Sequence, residues 1–150
     1  MSNFPNESEA ILNSAVEAAG AAGDILRKEF NRPGGGPRGD KSVNKAEADK
    51  AAEQVIYDRL SAAFPDYGFL AEEDHNVIGH SGIHRLWVVD PNDGTGSYLR
   101  GFRGAAVSIA LLEDGAPILG VVCAFNYPDD NGDLIAWAKG GPVFRNGKPV

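Results

Sequence analysis

Between about Ser8 and Phe30 the apolar residues Ile11, Leu12, Ala15, Val16, Ala19, Ala22, Ile25, Leu26 and Phe30 recur at intervals of three and four. That is the period of a helix with one buried face, and Asn6 with Glu9 three residues on has the form of a capping box at its start. A second helix is expected from about Lys45 to Phe64, with Ala48, Ala52, Val55, Ile56, Leu60 and Ala63 on one side. Between the two, Gly34-Gly35-Gly36-Pro37-Arg38-Gly39 breaks all periodicity and reads as a loop. A Walker-type phosphate loop fits poorly there, because Asp40 separates Gly39 from Lys41-Ser42.

Beyond Pro65-Asp66 the pattern shortens. Tyr67 to Ala71 reads as a short strand delivering Glu72-Glu73-Asp74, and a charged loop leads to Arg85. Leu86 to Asp90 is an apolar strand. In the last third, Ala105 to Leu112, Ala116 to Phe125 and Asp133 to Lys139 are β-rich runs parted by turns at Glu113-Asp114-Gly115 and Asp129-Asp130-Asn131-Gly132. This spacing describes an antiparallel meander, with Asn146-Gly147 marking one more tight turn. The fold class is α+β: two long N-terminal helices packed on a mainly antiparallel sheet, whose far face has no later helix to cover it.

The 150 residues suit one domain with a sizeable core. A net charge of −7, with no run of Lys or Arg, argues against a nucleic-acid polymer or an anionic membrane as partner. The N-terminus carries no basic patch followed by an apolar core, and no run approaches membrane-spanning length. A lone cysteine, Cys123, lies inside an apolar run, which fits a buried hydrophobe in a reducing compartment; a cytoplasmic location is expected.

The chemistry concentrates where the strand Leu86-Trp87-Val88-Val89 runs into Asp90-Pro91-Asn92-Asp93-Gly94-Thr95. A strand end followed by a turn can aim two carboxylates and a carbonyl at one point, as a hard cation such as Mg²⁺ requires. Proline stiffens the turn, and Gly94 lets the backbone approach a ligand. An EF-hand loop beginning at Asp90 fails, since its twelfth position would be Gly101 where a bidentate glutamate belongs. A haloacid-dehalogenase-type phosphatase fits poorly as well, because its two aspartates are two apart and these are three apart. His75, His80 and His84 lack the spacing of a zinc site and receive no role.

Taken with Ala71-Glu72-Glu73-Asp74 and Ala46-Glu47-Ala48-Asp49 upstream, the hexapeptide Asp90 to Thr95 resembles the inositol monophosphatase family of metal-dependent, lithium-sensitive phosphatases. The likeness extends through Val107-Ser108-Ile109-Ala110, Gly120-Val121-Val122 and Asn146-Gly147, nearly the whole chain. It implies a layered α/β sandwich of that family's type. It also implies that Glu72, Asp90 and the Asn92 carbonyl bind one Mg²⁺, that Asp90 and Asp93 hold a second, and that two or three ions act in all. The N–H groups of Gly94 and Thr95 would cradle a phosphate, and Thr95, Asp49 and Glu72 would be catalytic. Glu73 would support them from behind. The implied substrate is a small phosphorylated molecule, and a homodimer is implied too.

The pattern departs from the family in three small ways: Asn92 replaces an aliphatic residue, Ala46 a threonine, and Ala71 a glycine. The larger departure is the absence of a Trp-Asp-x-Ala-Ala block, whose aspartate completes the second metal site. Residues 1–150 are accordingly expected to form the N-terminal half of such a protein, without its C-terminal α/β half. A Mg²⁺-dependent phosphomonoesterase is the leading expectation. A 3′(2′),5′-bisphosphate nucleotidase or a fructose-1,6-bisphosphatase-like enzyme is the nearest alternative, and a non-catalytic metal- or phosphate-binding fragment is the rival of another class.

Overall fold

The computed structural model describes residues 4–32, 41–73 and 83–150, with the backbone alone at residue 5 and at residues 41–45. Helix α1, Phe4–Phe30, and helix α2, Lys41–Ala63, lie side by side on one face of a seven-stranded sheet. The strands are β1 (Gly68–Ala71), β2 (Arg85–Asp93), β3 (Ala106–Glu113), β4 (Ala116–Ala124), β5 (Asp133–Ala138), β6 (Val143–Arg145) and β7 (Lys148–Pro149). A short helix α3, Thr95–Leu99, interrupts the passage from β2 to β3. Strand order in the sheet follows chain order, with β1 parallel to β2 and every later pair antiparallel. No described helix is long and apolar enough to cross a membrane.

The α+β layering and the meander agree with the sequence pattern, but several boundaries move. Helix α1 begins at Phe4, so Asn6 lies within its first turn and does not cap it; Pro5 occupies the opening turn, where its missing N–H costs nothing. Helix α2 begins at Lys41, four residues before the expected Lys45. Strand β2 reaches back to Arg85 and forward through Pro91-Asn92-Asp93, which had read as a turn. The tight turn at Asn146-Gly147 joins two short strands, β6 and β7, and Asn146 adopts φ 50° there. The Gly34 to Gly39 loop, Asp74, His75 and His80 lie outside the described residues.

The core forms where the alternation of the strands meets the helical stripe. Ile11, Ala15, Ala19, Ala22 and Leu26 of α1 and Ala52, Ile56 and Leu60 of α2 are sealed against Trp87, Val89, Val107, Ile109, Leu111, Val121 and Phe125. Close approach requires small residues: a Cβ on Gly23 would lie 3.1 Å from Phe125 Cβ and 3.2 Å from Cys123 Sγ. Cys123 is buried, and burial pushes its thiol pKa up, as expected of a structural hydrophobe.

Arg85 fastens the start of α1 to the sheet. Its guanidinium donates to Glu113 at 2.9 Å, to Glu7 at 2.8 Å and to the Tyr67 hydroxyl at 2.6 Å. It also lies over the rings of Phe4 and Tyr67. Burial would lower its pKa, but the hydrogen bonds to Glu7, Tyr67 and Glu113 outweigh it and raise the pKa above the ordinary arginine range.

Candidate active site

The acidic residues meet at the ends of the two parallel strands. Ala71 pairs with Val89, so continuing the register by one residue sets Glu72 beside Asp90, on the sheet face that the helices leave bare. The two carboxyl groups are within hydrogen-bonding reach. Asp90 is partly buried, and its pKa is pushed up from 3.8 to about 6, first by desolvation and then by Glu72, with a smaller push from Asp93. A carboxylate raised in this way by burial and by an adjacent carboxylate favours a cation beside it.

Asp93 joins this side through a bulge. Asp93 lies three positions after Asp90, which in a regular strand would place the two on opposite faces. Their partners on β3, however, are Ser108 and Ala106, only two apart, so β2 carries one extra residue here. That insertion returns Asp93 to the face of Asp90 and leaves Pro91 and Asn92 outside the paired register. Asp93 and Glu72 are exposed. Among the described residues, no group of three or more His, Cys, Asp or Glu side chains converges tightly enough to form a finished ion cage.

Asn92 turns inward, toward α2. It is buried, and its Nδ2 donates to Asp49 Oδ1 at 3.0 Å while its backbone N–H donates to Asp90 Oδ1 at 3.1 Å. Its side-chain oxygen is buried without a hydrogen-bond partner among the described residues. Asp49 is itself buried, more than two turns into α2, which begins at Lys41. The asparagine in the hexapeptide, read from the sequence only for its carbonyl, is therefore the link between the helix aspartate and the strand aspartate.

One residue of this region escaped the sequence reading. Glu53, wholly buried on α2, accepts the backbone N–H of Glu73 at 2.7 Å. The available signal was its place four residues after Asp49, on the same helical face, in a position where a charged side chain is seldom buried without a partner.

Gly94 and Thr95 form the other half of the site. Gly94 precedes α3 with φ 94° and ψ 36°, a left-handed conformation suited to glycine, and a Cβ there would meet Ala105 Cα at 3.2 Å. Thr95 opens α3 and is exposed, and the first N–H groups of any helix lack partners within it. Tyr98 is core: its hydroxyl donates to the Leu26 carbonyl at 3.1 Å and its ring packs against Phe30 and Phe125. That contact pins α3 to α1. Arg100 stays exposed, and exposed His84 lies 2.6 Å from Asp114, away from the acidic strand ends.

A group able to bind a divalent cation would need oxygen donors, and this chain provides Glu72, Asp90, Asp93 and a backbone carbonyl beyond the regular ladder. Hard cations take that donor set. The raised pKa of Asp90, set first by burial and then by Glu72, is the local sign that its charge lacks compensation.

The chain is similar to known proteins along most of its length. At the level of sequence, the inositol-1-monophosphatase of Mesorhizobium japonicum is 40% identical over 143 residues, covering 91% of this chain and 50% of that protein. The histidinol-phosphatase of Chlorobaculum parvum is 39% identical and covers 93% of this chain and 52% of that protein. Among solved structures, the inositol monophosphatase of Anabaena (Nostoc) sp. PCC 7120 superposes with a TM-score of 0.78 at 31% identity, over 96% of this chain and 50% of that one. The chain thus spans about half the length of the relatives it matches. With residues 7–150 also matching the family model, the chain belongs to the inositol monophosphatase family.

Proposed function

We propose that this chain carries the acidic half of a Mg²⁺-dependent phosphomonoesterase site that hydrolyses a small polyol, sugar or nucleotide phosphate. The observation that supports this best is the pairing of Glu72 with Asp90 at adjacent strand ends, with the Asp90 pKa raised to about 6. Glu72, Asp90, Asp93 and the Asn92 carbonyl would hold the cations, two or three in all. Bound cations would supply Lewis acidity toward the phosphoryl oxygens and lower the pKa of a coordinated water.

The chain's own groups have distinct tasks. Glu72 and Asp90 accept positive charge, and Asp90, whose pKa is raised by burial and by Glu72, gains most from a cation beside it. The N–H groups of Gly94 and Thr95 receive phosphate oxygens where α3 begins, and the left-handed Gly94 lets them come close. The Thr95 hydroxyl and Asp49 orient the attacking water; Asp49 is itself held by Asn92.

The bare face of the sheet belongs to the same reading. Glu72 and Asp90 are on it, beside Val88, Val122 and Ile135, and a covering C-terminal half would bring a further aspartate to the cations as it buried these side chains. The relatives' greater length accommodates such a half. Lithium sensitivity, homodimer formation and a cytoplasmic location, which suits the lone buried thiol, are part of the proposal.

The histidinol-phosphatase relative keeps the phosphate ester open, and a bisphosphate nucleotidase or a fructose-1,6-bisphosphatase-like enzyme is the nearest alternative. The relatives' double length favours one second reading, a metal- or phosphate-binding fragment that is not catalytic alone. The experiment is phosphate release by this chain with and without Mg²⁺, over inositol phosphates, sugar phosphates, histidinol phosphate and adenosine 3′,5′-bisphosphate. Release that needs Mg²⁺ and vanishes in Asp90→Asn is the expected result. Release that survives in Asp90→Asn would sink the assignment, and Mg²⁺ binding without release would select the fragment reading.

A further inference from the structure

Two carboxylates on one face of α2 each reach a different strand end. Asp49 and Glu53 are four residues apart, so their side chains stand one above the other, and both are almost wholly buried, at 1% and 0% exposure. A buried carboxylate is costly unless it is hydrogen-bonded, and each of these is. Glu53 accepts the N–H of Glu73, the residue directly after Glu72. Asp49 accepts from the side chain of Asn92, whose own backbone N–H holds Asp90.

These bonds close into a circuit. It runs from Asp49 through Asn92 to Asp90, across to Glu72, along the chain to Glu73, and through Glu53 back to α2. Helix α2 is rigid over one turn, so the 49 to 53 spacing imposes a fixed separation on the two strand ends that carry Glu72 and Asp90. Glu72 is otherwise on an exposed segment just past the end of β1, with no further strand pairing to hold it.

We propose that Glu53 and the side chain of Asn92 are positioning residues: through them α2 sets the distance between Glu72 and Asp90, and with it the affinity of this site for a divalent cation. Neither group touches the cation with its side chain. Each acts through the backbone or carboxylate it holds. The Asn92 amide takes on this task by reaching Asp49 across from β2 to α2. Outer partners of this kind change metal affinity by about 10–100-fold when removed.

The inference rests on the cation reading of the site, and the test separates the two. Mn²⁺ binding to the intact chain is followed by electron paramagnetic resonance in the parent, Asp90→Asn, Glu53→Gln, Asn92→Leu and Glu47→Gln. The amide proton of Glu73 is followed by NMR in the same proteins. Glu47 is exposed on the same helix, so its variant controls for loss of one negative charge. The expected result is a Kd about 10-fold weaker or more in Glu53→Gln and Asn92→Leu, with Glu47→Gln within about twofold of the parent. The Glu73 amide should move upfield in Glu53→Gln alone. Should Glu53→Gln not fold, Glu53→Asp keeps the charge but shortens the arm, and its Mn²⁺ affinity should fall in the same way. Binding that is lost in Asp90→Asn yet unchanged in Glu53→Gln (or its Asp replacement) and Asn92→Leu would overturn the positioning role and leave the cation site standing. A parent that takes up no Mn²⁺, or binds it equally well as Asp90→Asn, would overturn both.

Discussion

Trp87, Val89, Ile109, Leu111 and Val121 turn toward the helices and are sealed, whereas Val88, Ala110 and Val122 on the same strands turn the other way and meet solvent, Val122 to 45%. Both faces are apolar along the middle of the sheet. What differs is the cover: α1 and α2 lie on one side, and on the other no described element does. Ile135 at 44% and Val143 at 42% extend the bare apolar strip toward β6. A sheet with apolar side chains on both faces is the kind that is ordinarily covered on both. The comparison also locates the chemistry, since the Glu72–Asp90 pair sits at the end of the bare face while the residues that hold it, Asp49, Glu53 and Asn92, come from the covered one.

The largest effect should come from the covered face. Trp87→Ala removes a ring packed among Phe64, Tyr67 and the helices, and should cost about 3–5 kcal/mol in denaturant unfolding. A loss below about 1 kcal/mol would show that the helix layer contributes far less than its burial suggests.

Next is the clamp at the end of that layer. Arg85→Met keeps much of the apolar stem but strips Glu7, Tyr67 and Glu113 of their shared donor, and should cost about 2–3 kcal/mol. Hydrogen exchange should quicken first in the opening turns of α1. Uniform acceleration across both helices would contradict a local clamp.

A smaller effect, of opposite sign, is expected at the acidic end. The folded pKa of Asp90, about 6, exceeds its ordinary 3.8, so the protonated form is favoured by the fold. Its stabilising contribution is complete below about pH 3.8 and is lost as the pH rises through about 6. Metal-free Asp90→Asn should therefore melt higher than the parent at pH 8, by roughly 2–4 °C, with the gap closing at pH 4. Equal melting temperatures at pH 8 would mean that Asp90 is not electrostatically strained.

The smallest change in stability should come from the bare strip. Val122→Thr keeps β-branching and shape and should shift unfolding by about 0.5 kcal/mol or less. Light scattering at raised concentration should nevertheless show reduced self-association, because an uncovered apolar strip invites contact between copies. A destabilisation comparable to that of Trp87→Ala would erase the distinction between the two faces.

How much of this was legible beforehand depended on whether the signal was local. Helical spacing in α1 and α2, alternation in β3 to β5 and the Gly and Asn turns are properties of neighbouring residues, and the sequence alone determined α1, α2 and β1 to β5, the α+β class and the acidic hexapeptide with its family resemblance, though not α3, β6 or β7. Element ends were less legible: Asn6 looked like a cap and Pro91-Asn92-Asp93 like a turn, because a helix extends as far as its packing allows and a strand continues where a partner strand pairs with it. The roles of Glu53 and Tyr98 were not legible for the same kind of reason, since their partners, Glu73 and Leu26, lie 20 and 72 residues away along the chain. The parallel pairing of β1 with β2, the bulge that returns Asp93 to the side of Asp90, and the bonds from α2 to both strand ends were decided only in three dimensions. Each depends on which distant groups satisfy buried polar atoms, and periodicity along one chain carries no record of that choice.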